Sequence, residues 1–357
     1  LAIGFGFSLN GHEYVTAVTD FTPTNIELVQ RVYNNTHLNH IWHNGKFDTT
    51  RLKYLLNLDA RVDNDTMLMH YIGINESRGT HSLKQLGQLY LQAPAWEDEL
   101  SEFKKSWCAS NRVKLREFTY DMIPVTTLIP YLYFDLLATL RLYEVFKTLM
   151  RESSLFMYEK LIEASNVYRD IELAGVEFNS AYADELGVQL QNKIEEAKSQ
   201  LQEVVDLVWD CDVYGAETGA NIPKKGLEFN IRSPKQLKWL LKKLLNVELV
   251  STDKKALDEL SEHIEDIDSE LGRNFLSALR IIRQSSKYYD TYVKGFKNLV
   301  CSDGRIRCTY NLHGTETGRL SSTEPNMQNV PRDALIKNLI TCRPGYRLVQ
   351  LDYSQAE

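Results

Sequence analysis

Asp352 stands at the end of the apolar run Tyr346, Leu348, Val349 and Leu351, with the polar Tyr353 and Ser354 just beyond. A carboxylate delivered by the C-terminal end of a strand suits a metal-dependent reaction on phosphates. Magnesium-type ions are hard and are held by one or two carboxylates plus the substrate's own phosphates. Taken alone, an aspartate after a strand is more often a turn former or a helix cap. Upstream lies the run Thr315-Glu316-Thr317-Gly318-Arg319-Leu320-Ser321-Ser322, followed by Pro325-Asn326-Met327-Gln328-Asn329-Val330-Pro331. Its small and hydroxylic residues let a backbone approach closely beside the Arg319 guanidinium. An arginine in a DNA minor groove, where every base pair offers acceptors in nearly the same place, checks pair geometry without reading sequence. Arg273, Arg280, Lys287 and Lys294 are spaced seven apart. On a continuous helix they form a row at roughly 10 Å intervals beside an apolar seam of Phe275, Leu279, Ile282, Tyr289, Val293 and Phe296. Such a row suits phosphate tracking and equally a solvated helix face.

The elements that must carry these groups follow from periodicity. Two strand-like runs over Leu1 to Val18 flank Asn10-Gly11, a hairpin signal. A helical stretch from about Asn25 to Tyr33, a short apolar run from Leu38 to Trp42 and helices through Leu58 follow. Trp96 to Arg116 reads as a polar surface excursion before a helix over Val125 to Met150. Leu186, Leu190, Ile194, Ala197, Leu201, Val204 and Val208 recur at three- and four-residue steps and predict one long amphipathic helix. Ser233-Pro234 supplies a cap and first-turn proline for a helix to about Leu245. A second long helix is expected from Arg273 to Leu299, and a strand-rich stretch from near Arg305. The polar break Arg151-Glu152-Ser153-Ser154 places a domain boundary, giving domains over 1–150 and 151–357.

Composition narrows the class. With 43% hydrophobic and 25% charged residues, the chain is of globular type, and its length of 357 suits two or three domains. No apolar run approaches the ~18 residues of a membrane span. Five scattered cysteines without a C-x-x-C pair suggest idle thiols in a reducing compartment. The net charge of −7 leaves a nucleic-acid partner to be decided by local charge.

The Thr315 to Pro331 block with Leu351 to Glu357 resembles the family A DNA polymerases, the bacterial DNA polymerase I type. The resemblance implies that Asp352 binds both catalytic metals, that Tyr353, Gln355 and Glu357 face the nucleotide, and that Glu357 is the gate rejecting a ribose 2′-hydroxyl. Ala356 stands where the family usually has a larger aliphatic. Arg319 is implied on the primer side of the groove, with Asn326, Gln328 and Asn329 lining it. Arg283 and Lys287 are implied to grip the duplex from a thumb helix.

Asn44-Gly45-Lys46-Phe47-Asp48 and Tyr131-Leu132-Tyr133-Phe134-Asp135, with Asp65-Thr66-Met67-Leu68 and His81-Ser82-Leu83 lying in order along the chain, resemble the proofreading 3′-5′ exonuclease domain of these polymerases. There Asp48 and Asp135 carry metals, Tyr131 orients the attacking water and Asn44 contacts the substrate strand. Tyr131 and Asp135, four apart, share a helix face. The implied fold is mixed α/β: a ribonuclease-H-like exonuclease domain, then a helical thumb at about 185–300 and the start of a palm at about 301–357. Implied partners are primer-template DNA, deoxynucleoside triphosphates and a pair of Mg2+ ions, with Mn2+ as the alternative. A monomer without membrane attachment is expected, in the cytoplasm of a bacterial or phage-infected cell, with a phage source favoured and work in replication and repair.

Leu1 opens inside an apolar segment and the family's D-x-E element is absent, so the sequence reads as an internal fragment. By itself it is expected neither to polymerise nor to degrade DNA efficiently. The rival readings are a stand-alone 3′-5′ exonuclease and a non-catalytic DNA-binding protein derived from a polymerase.

Overall fold

The computed structural model describes residues 2–223, 225–262, 269–351 and 353–354. Strands β1 (Ile3–Leu9) and β2 (His12–Val18) form the expected hairpin, closed by Asn10 and Gly11 at φ 53° and 77°, the left-handed backbone that a tight hairpin turn demands. Helix α1 (Pro23–Tyr33) starts on the Thr22 hydroxyl. Strand β3 (Ile41–Trp42), helix α2 (Gly45–Leu56), strand β4 (Asn64–Asp65) and helix α3 (Thr66–Gly73) come next, β3 and β4 pairing in parallel. Helices α4 (Leu83–Leu91), α5 (Asp98–Asn111), α6 (Val125–Leu149) and α7 (Glu152–Ala174) complete the N-terminal half.

Beyond them run β5 (Val176–Phe178), α8 (Ser180–Val208), α9 (Cys211–Thr218), α10 (Pro234–Leu245), α11 (Lys254–Glu262) and α12 (Glu270–Lys287). A π-helix over Tyr288–Lys294 and a last turn, α13 (Gly295–Lys297), extend α12. Strands β6 (Arg305–Ile306), β7 (Thr309–Asn311) and β8 (Ser321–Thr323), helix α14 (Ala334–Lys337) and strand β9 (Ile340–Thr341) finish the chain.

Two compact units result. The first comprises Leu1–Gly175 with Arg307–Asn329, the second Val176–Ile306 with Val330–Glu357. Helix α7 lies against α2 and α3. The cores of the first unit gather Ile3, Val29, Leu52 and Leu58 in one cluster and Leu68, Leu86, Leu142 and Phe146 in another. The β7–β8 hairpin also belongs here.

In the second unit α8 lies along α12, and Leu201, Val204, Leu237, Leu240, Phe275 and Leu279 form its core. The antiparallel sheet β6-β5-β9 accompanies them. Helices dominate the mixed α/β class throughout.

Several expectations need correction. The stretch after Trp96 is largely helical: α5 buries Leu100 and Cys108, and Trp96 itself is buried, because its few apolar residues fall on one face despite the polar composition. The helix from Arg273 is not uniform, since the wider turn of the π-helix carries Lys294 out of line with Lys287. Tyr346, Leu348, Val349 and Leu351 form no strand, and Leu351 is 91% exposed. Among the described residues no strand pairs with this segment, and an unpaired run leaves its backbone N–H and C=O groups to water. Finally, α6 is long and apolar enough, by length and composition alone, to cross a membrane. Folded cores contain helices of that kind, and here α6 packs against β1, α3 and α4.

Candidate active site and nucleic-acid interface

A single buried carboxylate organises the first of the two candidate regions. Asp65, 1% exposed, accepts the backbone N–H of Asn44 (3.0 Å) and Gly45 (2.8 Å), where α2 begins, and those of Met67 (2.9 Å) and Leu68 (3.4 Å), where α3 begins. Burial pushes this carboxyl up while the four donations pull it down. Two helix N-termini thus point at one acid, a favourable arrangement for negative charge. Asn44 adopts a left-handed conformation (φ 58°) to turn from β3 into α2.

One helical turn later comes Asp48. Its side chain is exposed at the surface, yet the protein packed around it desolvates the carboxyl and pushes it up to about 7. Arg51 opposes that rise, and the charges of Asp65 and Asp135 add to it. Asp135, on α6, is raised to about 6, again chiefly by desolvation; the Trp96 indole (Nε1 to Oδ1, 2.8 Å) and the Tyr131 hydroxyl hold it down. Tyr131 is raised by its own burial and by Asp135. The fold therefore brings Asn44, Asp48, Tyr131 and Asp135 into one electrostatic neighbourhood. Two acids raised chiefly by desolvation, with Asp135 adding to the rise of Asp48 and Glu97 to that of Asp135, form a setting that a divalent cation would relieve. Among the described residues no group of three or more acidic, histidine or cysteine side chains converges on one point. Two carboxylates fit an ion that takes its remaining ligands from water and substrate phosphate.

Two participants owe their roles to tertiary packing. Asp65 lay in view as Asp-Thr before an apolar run, an N-cap signature, but its service to a second helix is a tertiary fact. Trp96 is placed by packing: its ring lies on Gly87, where a Cβ would come within 2.6 Å of Cη2.

Four histidines adjoin this region. His43 bonds Thr66 Oγ1 (2.9 Å), and His70 meets His81 (Nδ1 to Nδ1, 2.8 Å) and Tyr90 (3.1 Å). The His313 ring lies 6.1 Å from that of His81. Burial first, then mutual repulsion or a nearby lysine, lowers His43 to about 3 and His70 and His313 to about 4; His81 is lowered by burial. All four fold as neutral rings but take up protons near 6.5 once unfolded. Their stabilisation is complete above pH 6.5 and is lost as pH falls from there toward 4. Asp48 and Asp135 act in the opposite sense over pH 4 to 7. Urea unfolding of the first unit should therefore need less denaturant at pH 5 than at pH 7.5, and His70→Gln should flatten that difference. Equal midpoints at the two pH values would refute the histidine account.

The second candidate region is the β7–β8 hairpin with its loop. Asn311 pairs with Ser321 and Tyr310 with Ser322. At Gly314 a Cβ would fall 2.0 Å from Ser321 Oγ, so a larger residue there would have to displace the Ser321 hydroxyl. Thr315 Oγ1 donates to the Arg319 carbonyl (2.6 Å), and Tyr71 OH donates to the Thr315 carbonyl (2.8 Å), which fixes the loop's base to α3. Arg319 is exposed on the loop. Asn326 and Gln328 brace it: the Ser322 hydroxyl donates to Asn326 Oδ1 (3.1 Å), which also accepts Gln328 N–H (3.2 Å), and Gln328 Nε2 donates to the Leu320 carbonyl (3.0 Å). Asn329 is exposed on the short 3-10 turn that follows.

In the second unit, Arg283 is half-buried and its guanidinium donates to the Thr252 carbonyl, while Lys287 is exposed at the end of α12. Arg280, of the expected cationic row, pairs with Asp258 at 3.4 Å. Tyr353 is exposed; Asp352, Gln355 and Glu357 lie outside the described residues.

Residues 212–357 match the DNA polymerase family A model and residues 3–151 the 3′-5′ exonuclease model. The DNA polymerase of Escherichia phage T5 is 31% identical over 373 residues, covering 99% of this chain and 41% of its own length. DNA polymerase I of Treponema pallidum is 25% identical over 344 residues, 92% of this chain and 30% of that protein. The fold is shared with the POL domain of Pol1 from M. smegmatis, solved with DNA primer-template and dNTP, at a TM-score of 0.66 and 22% identity over 95% of this chain and 51% of that one. The two matches follow one another along the chain, an exonuclease-type region before a polymerase-type region. Over residues 212–357 the chain is of the DNA polymerase family A type, and it spans about two fifths or less of the curated relatives named here.

Proposed function

We propose that this chain is part of a template-directed DNA polymerase with a proofreading 3′-5′ exonuclease, its first domain (1–150) of the ribonuclease-H-like kind and its polymerase part (151–357) comprising a thumb and the start of a palm. The observation that carries this reading is the pair of raised acids Asp48 and Asp135, the charge of the second adding to the rise of the first, within the stretch matching the exonuclease model. In the nuclease cleft Asp48 and Asp135 would hold Mg2+ or Mn2+, which when bound polarises a phosphodiester and lowers the pKa of water. Tyr131, hydrogen-bonded to Asp135, orients the attacking water, and Asn44 receives the substrate strand.

In the polymerase part Asp352 is the metal ligand, and Tyr353, Gln355 and Glu357 face the incoming deoxynucleotide. Arg319 monitors the minor groove of the primer-template from a loop braced by Asn326 and Gln328, with Asn329 beside it. Arg283, tethered to Thr252, stiffens the helix from which Lys287 meets phosphate. The protein would act as a cytoplasmic monomer in replication and repair, with the phage relative supporting a phage source.

In the protein that carries this chain, Arg319→Ala should lower the efficiency of primer extension at least tenfold, in line with the ~1–3 kcal/mol of a well-made groove contact. Unchanged extension rates would remove Arg319 from the groove. If Asp352→Ala also left extension intact, the whole polymerase reading would go, leaving a DNA-binding protein without this catalytic metal site.

A further inference from the structure

Within the motif that carries Asn44 and Asp48 lies a lysine that the proposed chemistry does not use. Lys46 is 6% exposed and its ammonium is ion-paired with Glu172 of α7, also 6% exposed. The same carboxylate oxygen accepts the backbone N–H of Tyr310 at 2.6 Å, in the middle of β7. Nearby, Arg307 Nε donates to the Leu173 carbonyl (3.0 Å), and the rings of Tyr168 and Tyr310 lie 5.2 Å apart. Tyr310 pairs with Ser322, whose hydroxyl anchors Asn326; Asn326 takes the Gln328 amide, and Gln328 holds the carbonyl next to Arg319. A short path of polar contacts, buried at Lys46 and Glu172 and exposed at Gln328, thus runs from the helix of the candidate nuclease site to the loop that presents Arg319.

Buried ion pairs rarely add stability over apolar replacements of similar volume, because desolvating both charges offsets their attraction. What this pair contributes that apolar residues could not is an acceptor for the Tyr310 amide. We propose that Lys46 and Glu172 are positioning residues: they fix the β7–β8 hairpin to α2, so that Arg319 and the Asn44–Asp48 turn are presented to DNA from one rigid body. The proposal rests on the reading of Arg319 as a DNA contact.

Lys46→Met with Glu172→Leu keeps the volume and removes both charges and the acceptor. Three measurements on the protein decide the matter: thermal unfolding, amide hydrogen exchange over 309–323, and affinity for a primer-template duplex with a recessed 3′ end. The double variant should melt close to the parent, yet exchange the Tyr310 amide and the loop amides faster and bind the duplex about tenfold more weakly, within the range of couplings between residues sharing one network. Arg319→Ala should cost about tenfold in the parent and less than about twofold in the double variant. Glu172→Gln, which keeps an acceptor for Tyr310, should retain the Arg319 effect, and it serves as the decisive variant if the apolar pair fails to fold. Unchanged exchange in the double variant, an Arg319 effect of equal size in both backgrounds, or loss of that effect in Glu172→Gln overturns the positioning role. Should Arg319→Ala leave duplex affinity unaltered in the parent itself, the DNA reading fails and takes this inference with it.

Discussion

Asp65→Ala should destabilise the first unit by roughly 3–5 kcal/mol, more than most single substitutions, and lower its unfolding transition by about 10 °C. The magnitude follows from four backbone donors that lose their acceptor at once. Each buried N–H left without a partner costs about 1–3 kcal/mol, and the neighbouring cavity of about 10 Å³ admits only about one water to replace them. The substitution also removes the negative charge on which the N-termini of α2 and α3 converge. Asp65→Asn, which keeps one acceptor oxygen, should lose about half as much. Because Asn44 holds its left-handed turn through this carboxylate, Asp65→Ala should also disorder the start of α2, visible as faster amide exchange at Asn44 and Gly45. A stability within about 1 kcal/mol of the parent would mean that water satisfies these donors and that the carboxylate is dispensable.

Where local chemistry decides, the sequence was readable. The Asn10-Gly11 turn, the Ser233-Pro234 start of α10 and the apolar stripe of α8 all depend on residues within a few positions of one another, and each forms where its pattern places it. Segments whose fate rests on distant partners were not readable. Trp96 is buried because Gly87 opens a seat for its ring and Asp135 accepts its N–H, and neither partner is near it in sequence. The segment up to Leu351 has the alternation of a strand, but alternation only marks a face and the neighbour must still be there to pair. The π-helix leaves no periodic trace in seven residues. Membership of the β7–β8 hairpin in the first unit depends on Glu172 and Tyr71, far earlier in the chain. Of the candidate site, Asn44, Asp48, Asp65, Tyr131 and Asp135 were legible as motif residues; the four backbone donors that Asp65 gathers and the Trp96 indole on Asp135 were not.

Divalent-ion binding at the Asp48–Asp135 pair should be steeply pH-dependent. A metal takes only the ionised carboxylate, so it competes with the proton wherever the carboxyl is protonated. With Asp48 pushed up to about 7 and Asp135 to about 6, both are largely protonated at pH 5.5 and largely ionised at pH 8. Apparent Mn2+ affinity should rise about tenfold per pH unit from 6 to 7, more steeply below 6, and level off above about 8. The linkage has the matching sign in stability. Carboxyls raised in the folded state oppose folding increasingly as pH climbs from about 4 to 7, and a cation that neutralises them restores what is lost. Mn2+ should therefore raise the melting temperature of the first unit at pH 8 and leave it unmoved at pH 5.5. Asp48→Asn removes one ionisable ligand; it should abolish the Mn2+ effect on melting and, in the protein that carries this chain, reduce 3′-end degradation on the order of a hundredfold or more. Melting that responds to Mn2+ equally at pH 5.5 and pH 8, or equally in the parent and Asp48→Asn, would place the ion elsewhere and leave these two acids with a purely structural part.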